Sequence, residues 1–209
     1  MNRWGVIFDF GGVLSLPQGS RAVLNREGAD WELDANTLIE RLFSGPVWEQ
    51  ASRGEIPPAR YWEHVSQHLP TPLADNLTPF ANDPFFGESL DEEMLALVRE
   101  VRAAGHQTAL CSNALPGLVR HLSKHPHLLH QFDVVVVSAL VGSRKPEWQI
   151  YRTTVSRLRL PAHRCVLIDD RERNTRAAQA LGIHAIVHQN ADATRRALVE
   201  MGILPSPGA

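Results

Sequence analysis

The sequence predicts an α/β fold: a doubly wound parallel sheet with a small helical cap inserted after its first strand. Short apolar runs, such as those at residues 6–8 and 134–137, alternate with longer segments of helical periodicity, which is the pattern of successive βαβ units. Residues 15–87 contain no strand-like apolar run and show helical periodicity interrupted by prolines instead. We therefore predict a core at residues 1–14 and 88–209 and a helical cap at residues 15–87.

Composition and charge exclude several classes of function. The 209 residues are 44% hydrophobic and 21% charged, with a formal net charge of −2, so no basic surface is expected that would select nucleic acid or an anionic membrane. The sequence shows neither a basic, apolar leader pattern nor an apolar stretch long enough to cross a bilayer, so we expect no signal peptide and no membrane span. Cys111 and Cys165 lie in separate apolar runs, which favours buried, reduced thiols and a cytoplasmic protein.

The first predicted strand, at residues 6–8, ends in an acidic residue followed by a turn. Asp9 is followed by Phe10, Gly11 and Gly12, and glycines permit sharp turns and close backbone approach. Open α/β sheets bind ligands at the carboxyl ends of their strands, which is where Asp9 falls. The alternative is that Asp9 only caps a turn.

The cap is predicted to contain two amphipathic helices. Their apolar faces are Leu38, Ile39, Leu42 and Phe43 in the first, and Tyr61, Trp62, Val65 and Leu69 in the second. The intervals of three and four residues within each set are those of one helix face. The segment Arg53-Gly54-Glu55-Ile56 separates the two helices, and prolines between residues 70 and 84 indicate a loop-rich return to the core.

The remaining elements of the core follow in regular alternation. Ser89 and Glu92 have the spacing of a capping box, and the helix that they open is expected to end at Gly105. The predicted strands are at 108–111, 134–137, 165–168 and 185–187. The predicted helices are a short one after Pro116 and three longer ones, beginning near Pro146, at 171–181 and at 192–201.

Four polar clusters each follow a predicted strand or open the next helix. They are Asp9, the pair Ser112-Asn113, Lys145 and the pair Asp169-Asp170. Parallel strands present their carboxyl ends at one edge of the sheet, so we expect these clusters to meet although they are far apart in sequence. Taken singly, each has another explanation as a helix cap, a surface charge or a favourable partner of a helix dipole.

Four motifs in this order resemble those of the haloacid dehalogenase-like hydrolase superfamily, which has a Rossmann-like core. They read FDFGGVL, LCSNA, RKP and LIDDRERN. The insertion lies where this superfamily carries a helical cap. The segment at residues 53–56 and the region of Trp62 resemble caps in the branch of sugar-phosphate phosphatases such as α-D-glucose-1-phosphate phosphatase.

The resemblance implies a Mg²⁺-dependent phosphatase of a small phosphorylated metabolite, such as a sugar phosphate. Asp9 would be the nucleophile that forms an aspartyl-phosphate intermediate. Asp9, the Gly11 carbonyl, Asp169 and Asp170 would hold Mg²⁺, which prefers oxygen ligands. Ser112, the Asn113 backbone and Lys145 would bind the phosphoryl oxygens, with Ser112 and Lys145 also counted among the catalytic residues.

Gly11 departs from the pattern of most phosphatases that the sequence resembles. They have a second Asp there, which protonates the leaving group and later activates water. General acid–base catalysis is typically worth about 10²–10⁴-fold, so its loss favours substrates whose leaving groups need little protonation. The strand order of the superfamily also implies that the strands of Cys111 and Cys165 flank the Asp9 strand, with the sulfurs too far apart for a disulfide.

Two other functions remain open from the sequence. A 2-haloacid dehalogenase would use Asp9 on carbon, but it has no need of two adjacent carboxylates in its fourth motif. A binding or regulatory protein would have kept the fold and lost turnover through Gly11. Six histidines, namely His64, His68, His121, His125, His127 and His130, lack the companions of a metal site and are interpreted as surface residues. His64 and His68 remain candidates to reach a substrate from the cap, and the sequence does not distinguish a monomer from a homodimer.

Overall fold

The centre of the molecule is a five-stranded parallel sheet. The structure, a computed structural model, describes residues 3–16, 35–69 and 89–206. The strands are β1 (Gly5–Phe8), β4 (Gln107–Ser112), β5 (Val134–Val137), β6 (Cys165–Asp169) and β7 (His184–Val187), in the order β5-β4-β1-β6-β7. This confirms the predicted doubly wound sheet, in which β1 is central.

The order of the strands also places the two cysteines as predicted. Strands β4 and β6 pair with opposite edges of β1, so that Phe8 lies between Leu110 and Ile168. Cys111 and Cys165 are buried and unpaired. The prediction of two separate, reduced thiols is therefore confirmed.

Helices cover both faces of the sheet and fill the described part of the insertion. They are α1 (Ala35–Phe43), α2 (Gly45–Arg53), α3 (Pro58–Gln67), α4 (Glu92–Ala103), α5 (Gly117–Ser123), α6 (Pro126–Leu129), α7 (Ser138–Val141), α8 (Trp148–Leu158), α9 (Glu172–Gln179) and α10 (Ala191–Glu200). Across the described ranges, each helix is too short or too polar to span a bilayer. The prolines predicted to form the loop-rich return lie outside these ranges.

Alternating side chains of β1 enter two separate cores. Phe8 packs with residues of α4, α5 and α10 on one face of the sheet, whereas Ile7 packs with residues of α8 and α9 on the other. A strand whose successive side chains are both buried has this uninterrupted apolar sequence. A third apolar cluster joins α1, α2 and α3 and includes Leu115 from the core.

The prediction of a capping box at Ser89 is wrong. Ser89 and Leu90 form β3, which pairs antiparallel with β2 (Ser15–Leu16). Asp91 caps α4 instead, because its carboxylate accepts a hydrogen bond of 2.9 Å from Met94 N. Because Ser89 is part of β3, it cannot also be the N-cap of α4, and Asp91, the next polar residue, is the N-cap instead. Gly105 does end this segment in the left-handed conformation, with φ +83°.

Helix α2 was not predicted as a helix. It buries only Trp48, Ala51 and Ser52, which leaves too short an apolar stripe to be recognised in the sequence. Gly54 ends it with φ +77° and approaches α7 so closely that an added Cβ would lie 2.2 Å from the Ala139 carbonyl oxygen. Helix α2 therefore docks directly against the core.

Candidate active site

Asp9 lies at the carboxyl end of the central strand, as predicted. Its backbone N donates to Ile168 O of β6 at 2.9 Å, which extends the pairing of β1 by one residue. Its side chain is buried, and Oδ1 accepts a hydrogen bond of 2.7 Å from Phe10 N. The carboxylate is thus held in one orientation by the first turn of the chain after β1.

Lys145 joins Asp9 to the carboxylate at the end of β6. The Lys145 Nζ lies 2.8 Å from Asp9 Oδ2 and 2.6 Å from Asp169 Oδ2, and the side chain is fully buried. The prediction that these three polar positions meet at one edge of the sheet is confirmed. A buried ammonium between two carboxylates satisfies charges that would be costly to bury alone.

The side chain of Asn113 holds the backbone of Lys145. Asn113 Oδ1 accepts from Lys145 N at 2.7 Å, and Asn113 Nδ2 donates to Lys145 O at 2.8 Å. The sequence predicted a role for the backbone of Asn113 but not this role of its side chain. Since both bonds join segments that are remote in sequence, no local pattern could have indicated them.

Asp169 is fully engaged by neighbouring donors. Besides Lys145, its oxygens accept from Arg171 N at 2.9 Å and from Asn174 Nδ2 at 2.9 and 3.1 Å. Asn174 lies in the first turn of α9, was not predicted as a site residue, and its own Oδ1 is buried without a hydrogen-bond partner among the described residues. The one signal for it was its place in the fourth motif, as an amide a few residues after Asp169-Asp170.

The charged side chains of this cluster shift one another's pKa values. Burial raises the pKa of Asp9 to about 7, and the nearby Asp169 charge adds to the rise, although Lys145 opposes both. Burial would also raise the pKa of Asp169, but the ammonium of Lys145 and the hydrogen bonds outweigh it and hold that pKa below its ordinary value. Despite burial, the two carboxylates raise the pKa of Lys145. Lys145 is therefore a permanent cation here.

Asp170 completes the acidic group beside the turn after β1. Oxygens of Asp9, Asp169 and Asp170 lie within 4.8 Å of one another. Partial burial and the Asp169 charge raise the pKa of Asp170. Asp9 and Asp170 are close carboxylates with raised pKa values, which a cation between them would stabilise, and an all-oxygen donor set suits Mg²⁺.

The two glycines after Phe10 differ in whether the fold leaves room for a side chain. Gly12 has φ +78°, and a Cβ added there would lie 2.8 Å from Asp170 Oδ2. A Cβ added at Gly11 would meet no atom within 4 Å, and its φ lies outside the left-handed range. The glycine required beside the acidic group is therefore Gly12, whereas a side chain is sterically possible at Gly11.

A cavity of about 190 Å³ opens over Asp9. It is lined by Asp9, Phe10, Gly11, Ile39, Phe43, Trp48, Ser112, Asn113, Ala114, Leu115, Arg144, Lys145, Arg171 and Asn174. Ser112, Asn113 and Lys145 thus face the same space as Asp9. His64 and His68 line a different cavity, behind Trp48 and Tyr61. His121 lies in α5, and its ring meets that of Phe10 edge to face with the centroids 6.3 Å apart. His127 lies in α6, which His125 precedes and His130 follows, and none of these four histidines lines the cavity over Asp9.

The geometry of the site agrees with the family that the sequence matches. Residues 5–182 match the haloacid dehalogenase-like hydrolase family. The chain belongs to this family. It is accordingly a hydrolase, with the family's α/β fold.

Individual relatives support this assignment. Acyl-CoA dehydrogenase family member 10 of Mus musculus is 32% identical over 200 residues, which span 87% of this chain but only 17% of that protein. A sesquiterpene phosphatase of Aspergillus oryzae is 26% identical over 183 residues and is matched over 85% of each chain. The fold is shared with a haloacid dehalogenase-like enzyme of Bacteroides thetaiotaomicron, with a TM-score of 0.69 and 20% identity over 90% of this chain and 94% of that one.

Proposed function

We propose that this hydrolase is a Mg²⁺-dependent phosphatase that acts on a small phosphorylated metabolite through an aspartyl-phosphate intermediate on Asp9. The observation that carries the proposal is the buried Lys145, which lies 2.8 Å from Asp9 at the floor of a cavity. The phosphatase activity named for the Aspergillus oryzae relative and the magnesium and inorganic phosphate bound to the Bacteroides enzyme support it. The cap predicted at residues 15–87 would cover this cavity.

Asp9, the Gly11 carbonyl and Asp170 are the proposed ligands of the metal ion. We assign Asp169 a different role from the one expected, because its oxygens already accept hydrogen bonds from Lys145, Arg171 and Asn174. When bound, Mg²⁺ would neutralise charge between the Asp9 carboxylate and an incoming phosphate dianion. Asp169 would then position Lys145 and compensate its charge.

In the first step, a carboxylate oxygen of Asp9 attacks phosphorus. The bond from that oxygen to phosphorus forms while the bond from phosphorus to the leaving oxygen breaks, and the leaving oxygen departs with the electron pair. Lys145 supplies positive charge beside the transferring group, and the Ser112 hydroxyl and the Asn113 backbone N donate to its oxygens. Asn113 acts a second time through its side chain, which fixes the backbone of Lys145.

In the second step, water attacks phosphorus and the bond to Asp9 breaks. Inorganic phosphate leaves, Asp9 recovers its carboxylate, and the proton of the attacking water passes to solvent or to the product. Among the described residues that line the cavity, Asp9 is the sole carboxylic acid, and it is occupied as the nucleophile. Leaving groups that depart without prior protonation are therefore the preferred ones.

Two measurements test the proposal against its alternatives. Phosphate release should require Mg²⁺, and halide release from a 2-haloacid should be absent. Halide release without phosphate release would indicate a dehalogenase, and neither activity together with tight phosphate binding would indicate a binding protein. Asp9→Asn keeps the shape of the side chain and removes the nucleophile, so turnover should fall to background while the fold is retained. Substantial phosphate release by this variant would exclude Asp9 as the nucleophile.

A further inference from the structure

A second cavity, which Asp9 does not line, adjoins the cavity over Asp9, and we call the two the outer and the inner cavity. The outer one has a volume of about 400 Å³ and shares Ile39, Phe43, Trp48, Arg144 and Arg171 with the inner one. Asp9, Ser112 and Asn113 line the inner cavity but not the outer one. A substrate with its phosphate at Asp9 and its organic part in the outer cavity would pass these five shared residues.

One side of this path is an apolar strip, which we define as Ile39, Phe43 and Trp48. The rings of Phe43 and Trp48 meet edge to face with their centroids 5.3 Å apart. Tyr61 supports Trp48 from behind at 5.5 Å. A strip of rings and an aliphatic side chain suits an apolar body, because sugar hydroxyls placed there would lose hydrogen bonds to water without replacement.

The other side of the path presents Arg144. Its side chain is almost completely buried, and its Nη1 lies 2.9 Å from Glu49 Oε1 of α2. Its Nε is buried and has no hydrogen-bond partner among the described residues. A buried guanidinium N–H without an acceptor is uncommon in a folded protein, so a ligand oxygen is its expected partner.

Resting on the proposed phosphatase activity, we propose that the substrate is a phosphate ester with an apolar body, which packs on the strip, and a second anionic group, which Arg144 binds. We assign Arg144 to a second group, and not to the transferring phosphate, because Arg144 also lines the outer cavity. Asp9, Ser112 and Asn113 line the inner cavity but not the outer one. Arg171 and Arg173 also line the outer cavity, so that with Arg144 three arginines face two carboxylates, Glu40 and Glu49. The excess of positive charge favours the same kind of substrate.

Binding of phosphonates to the full chain with Mg²⁺ tests the inference without turnover. We expect phenylphosphonate to bind more tightly than methylphosphonate, because its ring packs on the strip. Phosphonobenzoate, with its carboxylate in the meta or para position, should bind about tenfold or more tightly than the neutral phosphonobenzamide of the same shape. Equal affinities within either pair in calorimetric titrations would overturn the corresponding half of the inference.

Two variants test whether Arg144 and Ile39 are responsible for the two binding preferences. Arg144→Met should abolish the preference for phosphonobenzoate over phosphonobenzamide, whereas Arg176→Met, on the exposed side of α9, should retain it. Ile39→Asn should reduce the preference for phenylphosphonate, since Ile39 is only partly buried and its replacement spares the buried core of α1. Circular dichroism establishes that each variant is folded, and an unchanged preference in folded Arg144→Met would overturn the role of Arg144.

The inference and the proposed function can fail separately. If no phosphate ester is hydrolysed under any condition, the phosphatase proposal fails, and the phosphonate affinities still decide which ligand the cavity accepts. If phosphate esters are hydrolysed but glucose 1-phosphate is preferred to 4-carboxyphenyl phosphate, the phosphatase proposal stands and the apolar substrate class is wrong.

Discussion

Lys145 Nζ lies 2.8 Å from Asp9 Oδ2, and the lysine is fully buried. The same ammonium contacts Asp169, so one cation compensates two carboxylates from different strands. Removing one partner of a buried ion pair leaves charge without compensation, which costs far more than a surface pair contributes. The position of the proposed nucleophile therefore depends on Lys145 for both charge balance and geometry.

Lys145→Met should lower the free energy of unfolding by roughly 3–5 kcal/mol, the typical cost of breaking a buried charge pair. Phosphate release should fall to background because the positive charge at the transferring group is lost. Lys124 is the one other lysine in the chain and is exposed, so Lys124→Met is a matched control with an expected change within about 0.5 kcal/mol. Urea unfolding of both variants checks the prediction, and similar midpoints would contradict it.

Gly12→Ala should weaken activation by Mg²⁺, whereas Gly11→Ala should not. The new methyl group at Gly12 would lie 2.8 Å from Asp170 Oδ2 in a left-handed conformation, and at Gly11 it would meet no atom within 4 Å. Disturbing the residues that hold a metal ligand in place typically costs about 10–100-fold in metal affinity. Titration of activity with Mg²⁺ measures the difference between the two variants. Equal responses would mean that Asp170 does not serve as a ligand.

Gly11→Asp should restore a general acid at the position where the sequence lacks one. The wild-type rate should rise steeply with the acidity of the leaving group, so that 4-nitrophenyl phosphate is hydrolysed faster than phenyl phosphate and phenyl phosphate faster than an alkyl phosphate. The variant should help the alkyl phosphate most, by up to about 10²–10⁴-fold. Gly11→Asn is the control, because its side chain has the same shape without the acid. A wild-type rate that is independent of leaving group would indicate that another residue supplies the proton.

Glu147→Gln should destabilise the protein at neutral pH and have little effect in acid. Glu147 accepts hydrogen bonds from Arg53 of α2, at 2.6 Å, and from Ser143 and the Arg144 backbone, both at 3.1 Å. Burial alone would raise its pKa, but these donors outweigh it and hold the pKa below the ordinary 4.5.

The sign of the pH dependence follows from that lowered pKa. The contribution of Glu147 to stability is complete above pH 4.5 and is lost as the pH falls through its lower value in the folded protein. Because the pair is partly solvated, we expect a loss of about 1 kcal/mol or less near neutral pH. Urea unfolding at neutral and acidic pH measures it. Glu172→Gln, in an exposed pair on α9, should show almost no change, and a Glu147→Gln loss that persists in acid would contradict the argument.

The placement of the polar ends of the strands was predictable from local pattern and the rules of parallel sheets. The order of the strands was predictable from the resemblance to the superfamily. Asp9, Ser112, Lys145 and Asp169 each follow an apolar run or open a helix, and the topology then brings them to one edge. The two errors have different causes. Ser89 has the spacing of a capping box, but it belongs to a strand whose partner is far away in sequence. Helix α2 buries too few residues to show an apolar stripe in the sequence.

Local sequence was thus sufficient for the fold class and for the chemistry that the site offers, since apolar periodicity and residue type are properties of short segments. The functions of Asn113 and Asn174, the full engagement of Asp169 and the buried Nε of Arg144 emerged from packing alone. Hydrogen bonds and desolvation depend on which segments meet, and those segments are remote in sequence. For the same reason, the apolar strip beside Asp9 becomes visible once α1 and α2 are docked on the sheet.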